Sequence, residues 1–237
     1  MKGEPASGRL LFFATAPHPC GYLESETATT VFADPRVAKS TRVYSVLSRY
    51  GFRRSGEHLY RPQCAACAAC VPLRIPAARF QARRGQQRIW RRNADIRVSA
   101  KGDAFDPAHF ELYSRYMTAR HRGGSMDNPT QRQYREFLLC SWGETVFYEF
   151  RLQQRLVAVA VSDRLDDGLS AVYTFFDPAL SSRSLGIYAI LWQIEEAKRL
   201  ERDWLYLGYW IESSPKMRYK IAFRPQQRLI SGQWLEH

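Results

Sequence analysis

Three consecutive runs constrain this chain most. Thr145 to Leu152, Arg155 to Ser162 and Leu169 to Phe176 alternate or run apolar, and only Gln153-Gln154 and Asp163 to Gly168 separate them. Short polar breaks between such runs predict an antiparallel meander. Ser184 then stands where a helix N-cap is expected, ahead of an apolar stripe at Ile187, Leu191, Ile194, Ala197 and Leu200 or Glu201 with helical period. Trp204 to Trp210 follows after one short connection and reads as a buried strand, with Gly208 at its centre marking a place that another group approaches closely. A meander, a helix and a strand returning beside it predict an α/β (α+β) fold with a mixed, largely antiparallel sheet.

The stretch from Tyr206 to Pro225 changes from this strand pattern to a cationic helical one across small polar residues. Glu212 marks the strand end. Ser214 suits an N-cap and Pro215 the first helical position, so the turn is expected to lead into a short helix whose free N–H groups face an anion. On that helix Lys216 and Lys220 would share one face, and Met217 and Ile221 another. A surface helix with solvated lysines fits the same spacing.

The chain has 237 residues, a formal charge of +12 and 14% aromatic residues, which points to a polyanionic partner such as nucleic acid. The segment from Arg79 to Arg97 carries Arg83, Arg84, Arg88, Arg91 and Arg92 among Gln86, Gln87, Ile89, Trp90 and Asn93. Guanidinium groups fork onto phosphates, and Trp90 either stacks on a base or anchors the helix to the core. There is no run of about 18 apolar residues and no signal-peptide pattern, so a cytoplasmic protein with no membrane partner is expected.

Elsewhere, Arg9 to Ala14 and Thr29 to Ala33 read as strands. Asp34 with Pro35 opens a helix that carries Val37, Tyr44 and Leu47 and closes at Gly51. Asp106-Pro107 opens another, with Phe110, Tyr113 and Met117 on one stripe and an end near Gly123-Gly124. Asn128-Pro129 starts the next, with Tyr134, Phe137 and Leu138 inward, Cys140 as core and Gly143 as its stop. The expected division is an N-terminal α/β region over 1–102, carrying a cysteine cluster and a basic helix, and a second domain over 103–237 built on the meander.

Cys64, Cys67 and Cys70 lie three residues apart between short strand-like pieces. With Cys20 or His18 as a fourth ligand they would suit zinc or an iron–sulfur centre. Inert thiols supporting a turn fit as well, because the second half of a zinc-finger pattern is missing.

The order of elements from residue 145 to 210 resembles the GNAT acyltransferase core. An acetyl-CoA enzyme of that kind would cradle pyrophosphate at the start of its long helix. Here that place reads Arg183-Ser-Leu-Gly186-Ile-Tyr188, and the tyrosine replaces the last small residue, so a donor other than coenzyme A is expected. Further blocks are Pro19 to Leu23, GFRRSGEHLYRPQCAACAACVPLRIP at 51–76, LYSRYMTARHRGGSM at 112–126, TFFDP at 174–178 and SSPKMRYKIAFRP at 213–225. Together they make the chain similar to the aminoacyl-tRNA–protein transferases, in particular the bacterial aspartate/glutamate leucyltransferases. The resemblance implies transfer of leucine from charged tRNA to the α-amino group of proteins beginning with Asp or Glu, which marks them for N-degron degradation. No cofactor would be required.

On that reading Tyr173, Glu212, Ser213, Ser214 and Tyr219 are the candidates for proton relay or hydrogen bonding in the reaction. Arg120, His121, Lys216, Arg218 and Lys220 are the candidates for the acidic acceptor or the terminal phosphate of the tRNA. Rival readings are an arginyl-tRNA donor, a CoA-dependent acetyltransferase and a noncatalytic RNA-binding module.

Overall fold

The structure, a computed structural model, describes residues 10–120 and 127–237. The N-terminal elements are β1 (Phe12–Ala14), β2 (His18–Pro19), β3 (Thr27–Ala28), β4 (Thr30–Ala33), α1 (Thr41–Arg49), β5 (Arg53–Ser55), β6 (His58–Pro62) and β7 (Val71–Pro76). Next come α2 (Arg84–Arg92), β8 (Ile96–Lys101), α3 (Pro107–Arg120) and α4 (Gln131–Leu138). The remainder is β9 (Glu144–Leu152), β10 (Arg155–Arg164), β11 (Gly168–Phe176), α5 (Leu185–Arg199), β12 (Trp204–Trp210), β13 (Gln227–Ile230) and β14 (Gln233–Glu236).

The predicted meander forms the middle of an eight-stranded sheet in the order β14-β13-β7-β12-β11-β10-β9-β8. Every pairing in it is antiparallel except β11 with β12. The sheet is therefore mixed and largely antiparallel, as expected. Strands from both sides of residue 102 build it. A smaller sheet, β1-β4-β6-β5, lies in the N-terminal region.

The alternation along β9 to β11 sorts side chains onto two faces. Phe147, Val159, Val161 and Phe175 pack with Leu112, Tyr113 and Met117 of α3 and Tyr134 and Leu138 of α4. Tyr148, Ala158 and Ala160 pack with Leu185, Tyr188 and Ala189 of α5. Burying a side chain such as Phe147 stabilises by roughly 1.5–3 kcal/mol. The rest of the α5 stripe, Leu191, Ile194 and Ala197, covers Leu73 and Ile75 of β7 and Leu205 and Leu207 of β12.

Arg54 of β5 enters the interior beside the meander. Its guanidinium forks onto Asp163 with two bonds of 2.8 Å, and its Nη1 donates to the carbonyls of Gly56 and Leu138. Asp163 also accepts from the Thr145 hydroxyl at 2.7 Å, so a charged pair that is essentially sealed from water is satisfied on both sides.

Several helix starts differ from the sequence expectation. Asp34 does not open α1; its carboxylate takes Arg36 and the Arg36 N–H, and Ser40 is the cap seven positions before Leu47. Asn128 yields to Thr130, which bonds the Gln133 N–H while Gln133 answers back to the Thr130 N–H. That helix stops at Leu138, so Cys140 is buried in the following loop and not on a helix. Ser184 occupies the N-cap position of α5 with φ of 53° and makes no side-chain cap bond. At α1 and α4 a short polar side chain closer to the apolar run wins the cap, because its reach is only to the N–H two or three residues on.

Candidate active site

β11 and β12 run parallel for three register pairs, Gly168 with Trp204, Leu169 with Leu205 and Ser170 with Tyr206, and then part. β12 bulges against β7 between Tyr206 and Gly208, and β11 shifts register against β10 between Val161 and Ser162. The carbonyls freed by this splay need donors. Arg53 supplies those for β11, its Nη2 donating to Ala171 at 2.6 Å and Val172 at 3.2 Å. Lys220 supplies those for β12, its Nζ donating to Leu207 at 2.9 Å and Tyr209 at 2.6 Å.

Gly208 shows why the sequence places a glycine in this strand. Its φ is +78°, and a Cβ there would lie 1.9 Å from Nη1 of Arg53. The guanidinium thus lies against the bare backbone of the bulge. Gly208→Ala is expected to destabilise the protein by about 2–3 kcal/mol, from left-handed backbone strain and the displaced guanidinium. Urea unfolding measures this, and the loss should shrink in an Arg53→Met background. An equal loss in both backgrounds would contradict the contact.

Two cations therefore flank the splay, and neither makes an ion pair among the described residues. Burial works against the Arg53 charge, but the phenols of Tyr60, Tyr44, Tyr209 and Tyr22 outweigh it and hold its pKa above the ordinary value. For Lys220, burial and then the nearby Arg53 lower the pKa to about 7.

That shift makes stability pH-dependent. An exposed lysine keeps its proton to about pH 10.4. Between about 7 and that value the unfolded chain binds more protons than the folded one, so stability rises with pH across the window and is lowest below 7. The melting temperature should climb from pH 7 to 9, and Lys220→Met should flatten the climb. Parallel curves for the two proteins would exclude this role.

Tyr173 of β11 faces the same opening. Its hydroxyl donates to Sδ of Met117 at 3.3 Å, and its ring meets those of Tyr116 and Phe137 edge-on. Burial, then Tyr116 and Tyr113, push its pKa well above the ordinary phenol value, and Arg120 opposes them. Tyr219 is 42% exposed. Its pKa is raised by burial and then by Tyr116, with Arg53 and Arg120 opposing. Both phenols hold their protons at neutral pH and can donate but not abstract.

The structure thus gathers Tyr173, Tyr219 and Arg120 around Tyr116 and Arg53. Arg120 is the exposed last residue of α3, where a cation suits the helix end. His121 lies outside the described residues. Glu212 and Ser213 are exposed in the turn after β12, with Glu212 in electrostatic range of Arg228, and Ser214 holds its turn through backbone bonds to Ile211 and Met217.

Pro215–Ala222 is a 3-10 helix, not an α-helix. Pro215 has no N–H and that of Met217 closes on the Ser214 carbonyl, so the expected row of free donors is reduced. The tighter turn also separates the two lysines expected on one face. Lys216 and Arg218 are exposed, whereas Lys220 is buried beneath β12.

Arg53 and Tyr116 were missing from the sequence candidates. Gly208 was the available signal for Arg53: a glycine inside an aromatic strand announces an approaching group without saying which.

α2 presents Arg84, Arg88, Arg91 and Arg92 to solvent, as does Arg83 just before it. Arg92 donates to the Ser182 carbonyl. At the start of α5, Arg183 is held by Asp95 at 2.8 and 2.9 Å and Tyr188 is buried, so the place of a pyrophosphate cradle is filled.

Cys20, Cys64, Cys67 and Cys70 line one small cavity with Leu23, Glu26 and Ile211. Burial, then the neighbouring Cys20, Cys64 and Cys67, raise the Cys70 thiol to about 11. Tetrahedral zinc would bring sulfurs to about 4 Å from one another. Among the described residues the only trio of ligand atoms within 4.8 Å is Asp106, His109 and Glu149, so the sulfurs as placed do not form such a cage.

Two family models match the chain. That of the arginine-tRNA-protein transferase N terminus covers residues 18–88 and that of its C terminus residues 108–230. The aspartate/glutamate leucyltransferase of Hahella chejuensis is 49% identical over 226 residues, 95% of this chain and 97% of the relative. That of Pseudomonas putida is 54% identical over 227 residues, 96% of this chain and 97% of the relative. Among solved structures, L-PGS from Bacillus licheniformis superimposes with a TM-score of 0.48 at 9% identity, covering 72% of this chain and 50% of that one.

Proposed function

From the premise that the chain belongs to the arginine-tRNA-protein transferase family, we propose that it transfers leucine from leucyl-tRNA to the α-amino group of proteins beginning with Asp or Glu. The identity of about half the residues with aspartate/glutamate leucyltransferases over nearly the whole length carries this reading. The products then bear an N-terminal leucine for N-degron degradation. Among the described residues no helix is long and apolar enough to cross a membrane, and a tRNA substrate fits a cytoplasmic setting.

The reaction is aminolysis. The neutral α-amine attacks the ester carbonyl carbon and forms the C–N bond of a tetrahedral oxyanion, whose collapse breaks the bond to the ribose oxygen, and the amine proton ends on that oxygen. An α-amino group has a pKa of about 7.7–8.0, so a neutral fraction is present without a strong base. The ester is already activated, and the reaction calls for no ATP and no cofactor.

The GNAT-like splay is the place for the acyl group. Tyr173 and Tyr219, both protonated, suit donation to the tetrahedral oxyanion. Arg53 holds the splay open and adds a positive field beside it. Arg120 at the rim suits the acceptor carboxylate, and exposed Lys216 and Arg218 suit the terminal phosphates. Lys220 is a strut between strand and 3-10 helix. The arginines of α2 bind the tRNA backbone.

The test is parallel transfer of labelled leucine and arginine from their tRNAs onto peptides that differ only in an N-terminal Asp, Glu, Asn or Ala. Leucine on Asp and Glu alone is expected. Arginine in its place would change the donor, and no transfer from either would overturn the reading.

A further inference from the structure

Several arginines elsewhere in the fold are held by carboxylates, among them Arg36, Arg49, Arg79, Arg132, Arg183 and Arg199. Arg83, Arg84, Arg88 and Arg91 are the contrast: exposed on one short stretch and without an ion pair among the described residues. Beside them, α2 and α5 enclose a groove of about 340 Å³. Its floor is apolar, made by Phe80, Ala82 and Leu191, and Trp90 lines it with Arg91 and Gln87 and with Glu195, whose charge is taken up by Lys198 at 2.8 Å.

Trp90 is only partly anchored. Its ring meets Tyr188 at 5.5 Å and 59°, yet 37% of the residue remains exposed into the groove. An exposed indole over an apolar floor, with the unpaired Arg91 at its edge and Arg84 and Arg88 exposed on the same helix, is complementary to one unstacked base whose flanking phosphates need cations. A base inside a duplex is already stacked and cannot enter.

The α2 region is also tied to the segment that bears candidate site residues. Gln86 of α2 donates to the Ala222 carbonyl at 3.2 Å, and Phe80 packs on Phe223 at 6.1 Å. Those contacts fix α2 to the end of the segment that carries Lys216, Arg218 and Tyr219. We propose that the groove between α2 and α5 takes an unpaired nucleotide from the 3′ end of the aminoacyl-tRNA, its base stacked on Trp90 and its phosphates held by Arg88 and Arg91. This rests on the tRNA-dependent reading above and adds where the single-stranded end is gripped.

The experiment measures binding of leucine tRNA at several salt concentrations, which is independent of transfer. Trp90→Ala should weaken binding at least about tenfold at every salt concentration, and Trp90→Phe should restore most of it. Arg91→Gln should instead lower the slope of log affinity against log salt by about 0.7–0.9. A tRNA trimmed of its unpaired 3′ nucleotides should bind wild type and Trp90→Ala alike. Wild-type affinity in Trp90→Ala, or an equal loss with the trimmed tRNA, would overturn the proposal. Leucyl transfer by the wild type, scored separately, reports on the underlying reading.

Discussion

An Arg53→Met protein is expected to fold and to lose at least about 100-fold in leucyl transfer. The substitution keeps the length of the side chain but removes the donor to Ala171 and Val172. Two carbonyls of β11 are then without partners beside the parting of β11 and β12. The cheapest repair is for the strands to pair further and narrow the splay, and a shift of about 1 Å in a reacting group is worth about that factor in rate. Each orphaned carbonyl costs about 1–3 kcal/mol, but relief of a buried cation that has no carboxylate partner offsets part of it. Single-turnover transfer from leucyl-tRNA to an Asp-peptide measures the rate, and a thermal melt checks the fold. Arg53→Lys, which keeps charge and reaches fewer acceptors, should lie between the two. tRNA affinity should stay at the wild-type level in both variants, because α2 is untouched. Transfer within about threefold of wild type would remove Arg53 from the site.

The adjacent residue carries the largest expected loss of stability. Arg54→Met should destabilise by about 3–5 kcal/mol, because Asp163 would keep its charge in a site 2% exposed with only Thr145 to hold it. The Gly56 and Leu138 carbonyls lose their donor as well. Replacing both members, Arg54→Met with Asp163→Leu, should recover much of that loss, since an apolar pair of similar volume removes the buried charge instead of stranding it. Urea unfolding at pH 7 measures the cycle. Additive losses in the double variant would mean that the two charges do not depend on each other. Arg53 and Arg54 point to opposite sides of β5, and that alternation assigns one to the cleft and the other to the core.

The sheet was legible because its signal is local. The breaks at Gln153-Gln154 and Asp163 to Gly168, and the period of Leu191, Ile194 and Ala197, need no knowledge of distant residues to be read. The antiparallel order of β9, β10 and β11 and the return of β12 beside β11 follow from those breaks. Helix starts were less legible. Asp34 and Ser40 both offer a capping oxygen, and the packing of Tyr44 and Leu47 against Leu59 and Tyr206 chose between them.

The sequence by itself determined the strand and helix periods, the positive charge of α2, and a glycine in β12 that some group must approach. It also carried the block pattern by which the family was expected. Only the tertiary structure decided which group meets Gly208, because Arg53 and Gly208 are far apart along the chain and their contact exists once β5 lies over the splay. It decided as well that Lys216 and Lys220 have different fates. The same residues in an α-helix would have shared a face, but the 3-10 turn sends Lys220 inward to carbonyls that the diverging strands leave unpaired. Local pattern reports the period of an element, whereas a buried cation is placed by whichever unpaired carbonyls the finished sheet presents.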